Sequence, residues 1–215
     1  MTSREQILSD VRKAVGRKAG QPLAAQPKAR IVIPSYSVEE RIALFQERLE
    51  VLGGKVHRAA TYADAAQTVR QLIDGSSAVA SNAPVLRQAG ITSFPNVSSG
   101  YSDEPSLREA CASAPFGITG ADYGFAETGS IVTIAANESR LVSLLPPVHI
   151  ALLSKSRMLT GLDEFYTLQP LPAGRSASTV FITGPSRSAD IEMILVRGVH
   201  GPRIIHVIVI DEELI

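Results

Sequence analysis

The sequence predicts an α/β domain, a parallel or mixed sheet with helices on both faces, preceded by a helical arm. Short apolar runs rich in β-branched residues, at 77–80, 148–153 and 204–210, read as buried strands. Between strands lie capped segments with apolar residues at helical spacing, and this alternation builds parallel sheets. Hydrophobic residues make up 45 % of the 215 positions, enough for a substantial core in one domain.

Ser3 and Gln6 are spaced as a capping box, in which the two side chains satisfy backbone donors reciprocally. Ile7, Val11 and Val15 then repeat every four residues beside Leu8, one stripe of a helix that stops near Gly16. Residues 19–30 hold two prolines and no periodicity, a linker. The chain therefore divides into a helix and linker, 1–30, and an α/β domain, 31–215. A short helix on a tether either docks on a second subunit or partner, or frays.

Ser37 and Glu40 form another capping box. Val38, Ile42, Phe45, Leu49 and Leu52 follow as a helical face, with Gly53 and Gly54 as its left-handed stop. Residues 55–59 are a short strand, on which His57 fits a structural role better than a catalytic one. A helix capped by Thr61 runs to about Asp74 with Ala65, Val69, Leu72 and Ile73 inward. Strand 77–80, a turn from Ser81 and a helix over 104–113 lead to a strand at Phe116. Later come strand 131–135, a turn over 136–139, and a piece at 140–145 that fits a strand or a short helix equally. Strand 148–153, helix-like residues around 162–165 and a Pro/Gly/Ser loop over 170–176 follow. Strand 178–183 precedes a Gly/Ser turn, then Asp190, Ile191, Ile194 and Leu195 at helical spacing. Residues 198–203 turn into 204–210, expected as a central strand.

Twenty-one basic residues balance 21 acidic ones, with no Lys/Arg cluster, which argues against nucleic acid as a partner. Cys111 is alone, so the chain can form no internal disulfide and no four-thiolate iron–sulfur cluster. Its helical surroundings suggest a small core residue, with a catalytic thiol as the alternative. Four scattered histidines give no metal-ligand spacing, and no metal is expected. A signal-peptide core is lacking, and no apolar run approaches the roughly 18 residues of a membrane span, so a cytoplasmic setting is expected.

Candidate chemistry gathers where two Gly-rich turns bracket Asp122 and Glu127, just before the β-branched run 131–134. Loop-then-strand order puts Glu127, Thr128, Gly129 and Ser130 near a strand end, where α/β proteins place ligands. Glu127 between small residues leaves a ligand room, and partial desolvation would raise its pKa toward acid or base work. Alternatively it only holds its loop by accepting backbone amides. Asp122, the second catalytic candidate, is set against the ordinary role of Asp in a Gly-rich turn. The 184–188 turn reads as a strand-to-helix anion site to which Ser186 and Arg187 add contacts, or as an ordinary loop capped by Ser188. Arg140 and Ser143 are placed to face the same cavity, Arg140 as a substrate-binding counter-charge to an acid or as partner of Glu127; His149 reads as a core histidine and His200 as a loop residue within reach of a ligand. No Walker or GxGxxG pattern is present, so no motif supports nucleotide binding.

Four blocks, at 126–130, 143–150, 182–192 and 198–203, together resemble the lactate utilization protein C family, the LUD domain. Glu127, Thr128, Gly129 and Ser130 fall on its glutamate-threonine-glycine block. Arg140, His149, Ser186, Arg187, Asp190, Glu192, His200 and Arg203 fall on the others, while Gly124 and Phe125 depart from the aliphatic residues expected there. The resemblance implies a Rossmann-like fold related to the sugar-phosphate isomerase and CoA-transferase-like group. It also implies oxidation of L-lactate to pyruvate beside two iron–sulfur partner subunits, with the clusters in the partners and no cofactor in this chain. On that reading Arg187 or Arg140 pairs with the carboxylate of the small substrate and Glu127 meets its hydroxyl. The rival readings are an independent isomerase or acyl/CoA-transfer-type enzyme with Glu127 as base or nucleophile, and a non-catalytic scaffold. A homo-oligomer is compatible with each.

Overall fold

A computed structural model describes residues 2–16, 34–134, 140–170, 176, 178–188 and 196–213. The chain divides into two units, Met1–Val32 and Ile33–Ile215. In the first, helix α1 (Ser3–Val15) is capped by Thr2, whose Oγ1 accepts from the Glu5 amide at 3.3 Å while the Glu5 carboxylate accepts from the Thr2 amide at 2.7 Å. The box thus lies one residue before the Ser3/Gln6 spacing. Physically, a carboxylate at the positive end of the helix is a stronger acceptor than an amide. Gly16 ends α1 in the left-handed region, and the 19–30 linker lies outside the described residues.

In the second unit, α2 (Val38–Val51) begins with the Ser37/Glu40 box and buries Ile42, Phe45 and Leu49, whereas Val38 stays exposed. Then come β1 (Lys55–Ala59), α3 (Tyr62–Ile73) with its Thr61/Asp64 box, β2 (Ala78–Ala80), the short α4 (Pro84–Gln88) and β3 (Val97–Ser98). After α5 (Glu104–Ser113), capped by Asp103, the chain forms β4 (Phe116–Ala121), β5 (Tyr123–Phe125) and β6 (Ser130–Ile134). The segment at 140–145 is helical, α6 (Leu141–Leu144). It leads to β7 (Val148–Ser154), β8 (Met158–Leu159), α7 (Leu162–Leu168) and β9 (Thr179–Ile182). Two-residue strands β10 (Arg187–Ser188) and β11 (Val196–Arg197) pair antiparallel before β12 (Ile204–Ile210). Arg187 and Ser188 therefore form a strand rather than the first turn of a helix, which corrects the strand-to-helix reading of 184–188. The helical spacing from Asp190 to Leu195 lies outside the described residues.

The main sheet is ordered β1-β12-β7-β4-β2-β3, and every pairing in it is parallel. Alternate residues of its central strands serve opposite faces. Ile150, Leu152 and Ile208 join Ala65, Val69 and Ile73 of α3 and Leu86 of α4 in one core. Ala151, Leu153, Val207 and Val209 join Ile42, Phe45 and Leu49 of α2 in the other. Burial on both faces is why β12 is nearly continuous in apolar residues.

A second sheet, β8-β5-β6-β9, combines antiparallel β5/β6 and β6/β9 pairs with a parallel β5/β8 pair. Phe165 of α7 packs against Tyr123, Phe125 and Phe181 of this sheet, with ring centroids 5.5–5.8 Å apart.

Candidate functional site

From β2 the chain winds outward to β3, then crosses through α5 to β4 on the other side of β2 and continues to β7. The winding direction thus reverses between β2 and β4. At such a point the connections leaving the strand ends diverge and leave a crevice. Here it is a cleft of about 740 Å³, lined by Asn82, Ala83, Val85, Arg87, Asp122, Tyr123, Ile134, Leu152, Ser154, Ser156, Arg157, Gln169 and Glu213 among others.

Asp122 follows β4 directly. Its amide donates to the Val132 carbonyl at 2.8 Å and its Oδ2 accepts from the Ile134 amide at 2.6 Å, so β6 holds the carboxylate in place. The side chain is open to the cleft but surrounded by protein. Burial pushes its carboxyl pKa up, opposed by the Ile134 amide and the Arg157 guanidinium.

Arg157 lies 5.6 Å over the Tyr123 ring, and its Nη1 donates to the Tyr123 hydroxyl at 3.5 Å. Gln169 Nε2 donates to the same oxygen at 3.0 Å. Among the described residues no carboxylate lies within ion-pair distance of Arg157. Arg87 Nη1 donates to the Asn82 carbonyl at 2.6 Å, and the Ser154 and Ser156 hydroxyls are 3.0 Å apart. Two guanidiniums, the carboxylates of Asp122 and Glu213, hydroxyls and amides thus face one space, a set suited to orienting a ligand with both an anionic group and hydroxyls.

Of the residues singled out from the sequence that the structure describes, only Asp122 lines this cleft; Asp190 and Glu192 lie outside the described residues. The turn from Glu127 to Ser130 lies against α2. Thr128 Oγ1 and Ser130 Oγ are 2.7 Å apart, as are Ser130 Oγ and Thr183 Oγ1, while Gly129 approaches the backbone at Leu49. The exposed Glu127 places its carboxylate over Gly161, and its amide donates to the Thr160 carbonyl at 3.0 Å. Arg187 donates to the Leu52 carbonyl. At the opposite end of the main sheet, the Ser186 amide donates to the Pro202 carbonyl at 2.9 Å and the His200 amide to Ser186 Oγ at 3.2 Å. Arg140, at the head of α6, accepts the Ser143 hydroxyl on its carbonyl at 3.1 Å. Among the described residues Glu127 makes no ion pair with Arg140 or Arg187.

Asn82, Arg87, Ser154, Arg157, Gln169 and Glu213 were not foreseen. The available signal was position: Asn82 and Ser154 end or follow strands that read as buried, at the sheet edge where ligands gather. His149 is fully buried, its Nε2 2.8 Å from Thr119 Oγ1 and its Nδ1 unpartnered, and burial lowers its pKa to about 4. Among the described residues no three His, Cys, Asp or Glu side chains group to hold a metal, and no helix is long and apolar enough to cross a membrane.

The profile of the LUD domain family matches residues 42–210, a span that contains both sheets. Lactate utilization protein C of Halalkalibacterium halodurans is 32 % identical over 234 residues, covering 97 % of this chain and 98 % of the relative. The protein of the same name from Exiguobacterium sp. is 33 % identical over 229 residues, covering 98 % and 97 %. A solved DUF162 family protein from Deinococcus radiodurans matches with a TM-score of 0.63 at 21 % identity, covering 82 % of this chain and 99 % of the other. That likeness extends to the α/β fold described above. With the family profile spanning most of the second unit and relatives aligned almost end to end, the chain belongs to the LUD domain family.

Proposed function

We propose that this protein is a subunit of a cytoplasmic system that oxidises L-lactate to pyruvate together with iron–sulfur partner proteins. The supporting observation is the near-full-length likeness to proteins named lactate utilization protein C. Converting the lactate C2 hydroxyl to a carbonyl releases two electrons and two protons. A chain whose sole cysteine is buried cannot itself supply a four-thiolate cluster, so in this reading the electrons pass to partners that carry one. The chain then binds the small carboxylate or orders the assembly.

The test is L-lactate-dependent dye reduction by reconstituted partner subunits, with this chain present or left out. Activity should vanish on omission and return on addition; equal activity without the chain overturns the reading. The switch-point cleft favours a second reading, an independent enzyme of the isomerase or acyl-transfer type with Asp122 as its acid or base. Turnover by the isolated chain separates the two.

A further inference from the structure

We infer that the cleft between β2 and β4 binds an organic phosphate of about mononucleotide size. The first argument is volume. Lactate has six non-hydrogen atoms, and at about 30 Å³ each, the share of a water molecule in the liquid, it fills roughly a quarter of the cleft. The 740 Å³ cleft lies within the roughly 300–1,000 Å³ range of pockets that hold larger organic ligands.

The second argument is the chemistry of the lining. Its cations are two guanidiniums, Arg87 on the β2–α4 side and Arg157 on the β7 side. Each is held by one hydrogen bond to a neutral protein oxygen, the Asn82 carbonyl or the Tyr123 hydroxyl. Among the described residues the other N–H groups of each fork have no protein acceptor and are left for an anion. Planar guanidiniums match phosphate oxygens in pairs. Asp122 commits one oxygen to the Ile134 amide and keeps acceptor capacity for ligand hydroxyls. Its raised pKa is the mark of a carboxylate kept in an unfavourable setting. Val85, Ile134 and Leu152 add an apolar wall. A phosphate ester with free hydroxyls uses all three features at once; a small hydroxy acid offers the same kinds of group but fills only a fraction of the space they line.

The third argument is topological, because crevices at the reversal of strand order are where open parallel sheets hold such ligands. None of these features depends on lactate chemistry, and the titration below fails or succeeds independently of the dye-reduction assay.

The experiment is isothermal titration of the full chain with adenosine monophosphate, ribose 5-phosphate, inorganic phosphate and L-lactate. We expect one organic phosphate to bind at a single site with Kd below about 1 mM. Tighter binding of adenosine monophosphate marks a nucleotide site, and tighter binding of ribose 5-phosphate marks a sugar-phosphate site. Arg157→Met and Arg87→Met should each weaken binding by about tenfold or more. Asp122→Asn should weaken the hydroxylated ligands relative to inorganic phosphate, whose affinity should hold or rise as a negative charge leaves the cleft. Arg87 is exposed on a short helix, so its variant keeps the test decisive if Arg157→Met unfolds. Binding of lactate alone, failure of both organic phosphates, or wild-type affinity in both arginine variants overturns the inference.

Discussion

Gly129 rests on the backbone of Leu49: a Cβ built on it would stand 2.5 Å from the Leu49 amide nitrogen. Nearby, a Cβ on Gly184 would stand 2.9 Å from Leu52 Cβ, and Arg187 donates to the Leu52 carbonyl. Two of the motif blocks thus clamp the C-terminal half of α2 onto the second sheet. Gly129→Ala meets both a left-handed φ of 63° and a backbone obstacle that cannot rotate away. The expected loss is about 3 kcal/mol. Gly75→Ala shares the left-handed φ but has nothing within 4 Å, so it should lose only about 1 kcal/mol. Urea midpoints at unchanged slope measure both; equal losses would mean that close packing on α2 adds nothing at Gly129.

Local chemistry was the legible part. Ser37, Thr61 and Gly53 announce helix ends because a hydroxyl cap or a left-handed stop needs only its immediate neighbours. Two-sided burial made 148–153 and 204–210 plain as strands. The cleft was not legible, because Asn82, Asp122, Arg157, Gln169 and Glu213 lie on separate segments that only the strand order brings together. The Gly-rich turn at Gly129 shows a subtler limit. Glycine admits close approach of any backbone, and nothing in the local pattern tells a ligand from a packed helix. Likewise, the apolar run of β9 marks a strand but carries no sign of which sheet it joins.

Cys111 packs with Val79, Ala114 and Val142 and is fully buried, and burial raises its thiol pKa. A thiolate is the reactive form, so access and ionisation both oppose modification. Native protein at mildly alkaline pH should leave a thiol reagent unreacted, and full reaction should require denaturant. Fast labelling of the native chain would show an opening that exposes this core.

His149 makes stability depend on pH. Its pKa lies near 4 in the folded chain, against 6.5 for a free histidine side chain. Above pH 6.5 it is neutral in both states and costs nothing. As pH falls toward 4 the unfolded chain takes up a proton that the folded chain refuses, and stability is lost. The full loss is about 3 kcal/mol. His206, buried and lowered to about 4 by burial and then by His57 and Lys55, acts in the same direction, as does His57, lowered by burial and Lys55; their ring nitrogens are 2.9 Å apart, so the two titrate as a pair. Denaturation midpoints should fall across this window, and His149→Gln should flatten the fall. The His149 ring proton signals should stay still from about pH 7.5 to 5; titration near 6.5 would contradict the burial argument.

Asp122 should behave in the opposite sense, as a group retained at some expense to the fold. Burial raises its carboxyl pKa above the unfolded value. The folded state therefore holds its proton longer, and this contribution to stability is present at low pH and lost as pH rises through the folded pKa. At neutral pH the folded chain carries a carboxylate that burial disfavours. Asp122→Asn removes the charge while its amide oxygen can still accept from the Ile134 amide. Because the side chain opens onto the cleft, the gain is small, within about 1 kcal/mol, and should shrink toward acid pH. Thermal unfolding of both proteins at neutral and acid pH measures it. A variant less stable than wild type at neutral pH would mean that the carboxylate is a structural tie to β6. A variant equally or more stable but impaired in ligand binding has the signature of a residue kept for function.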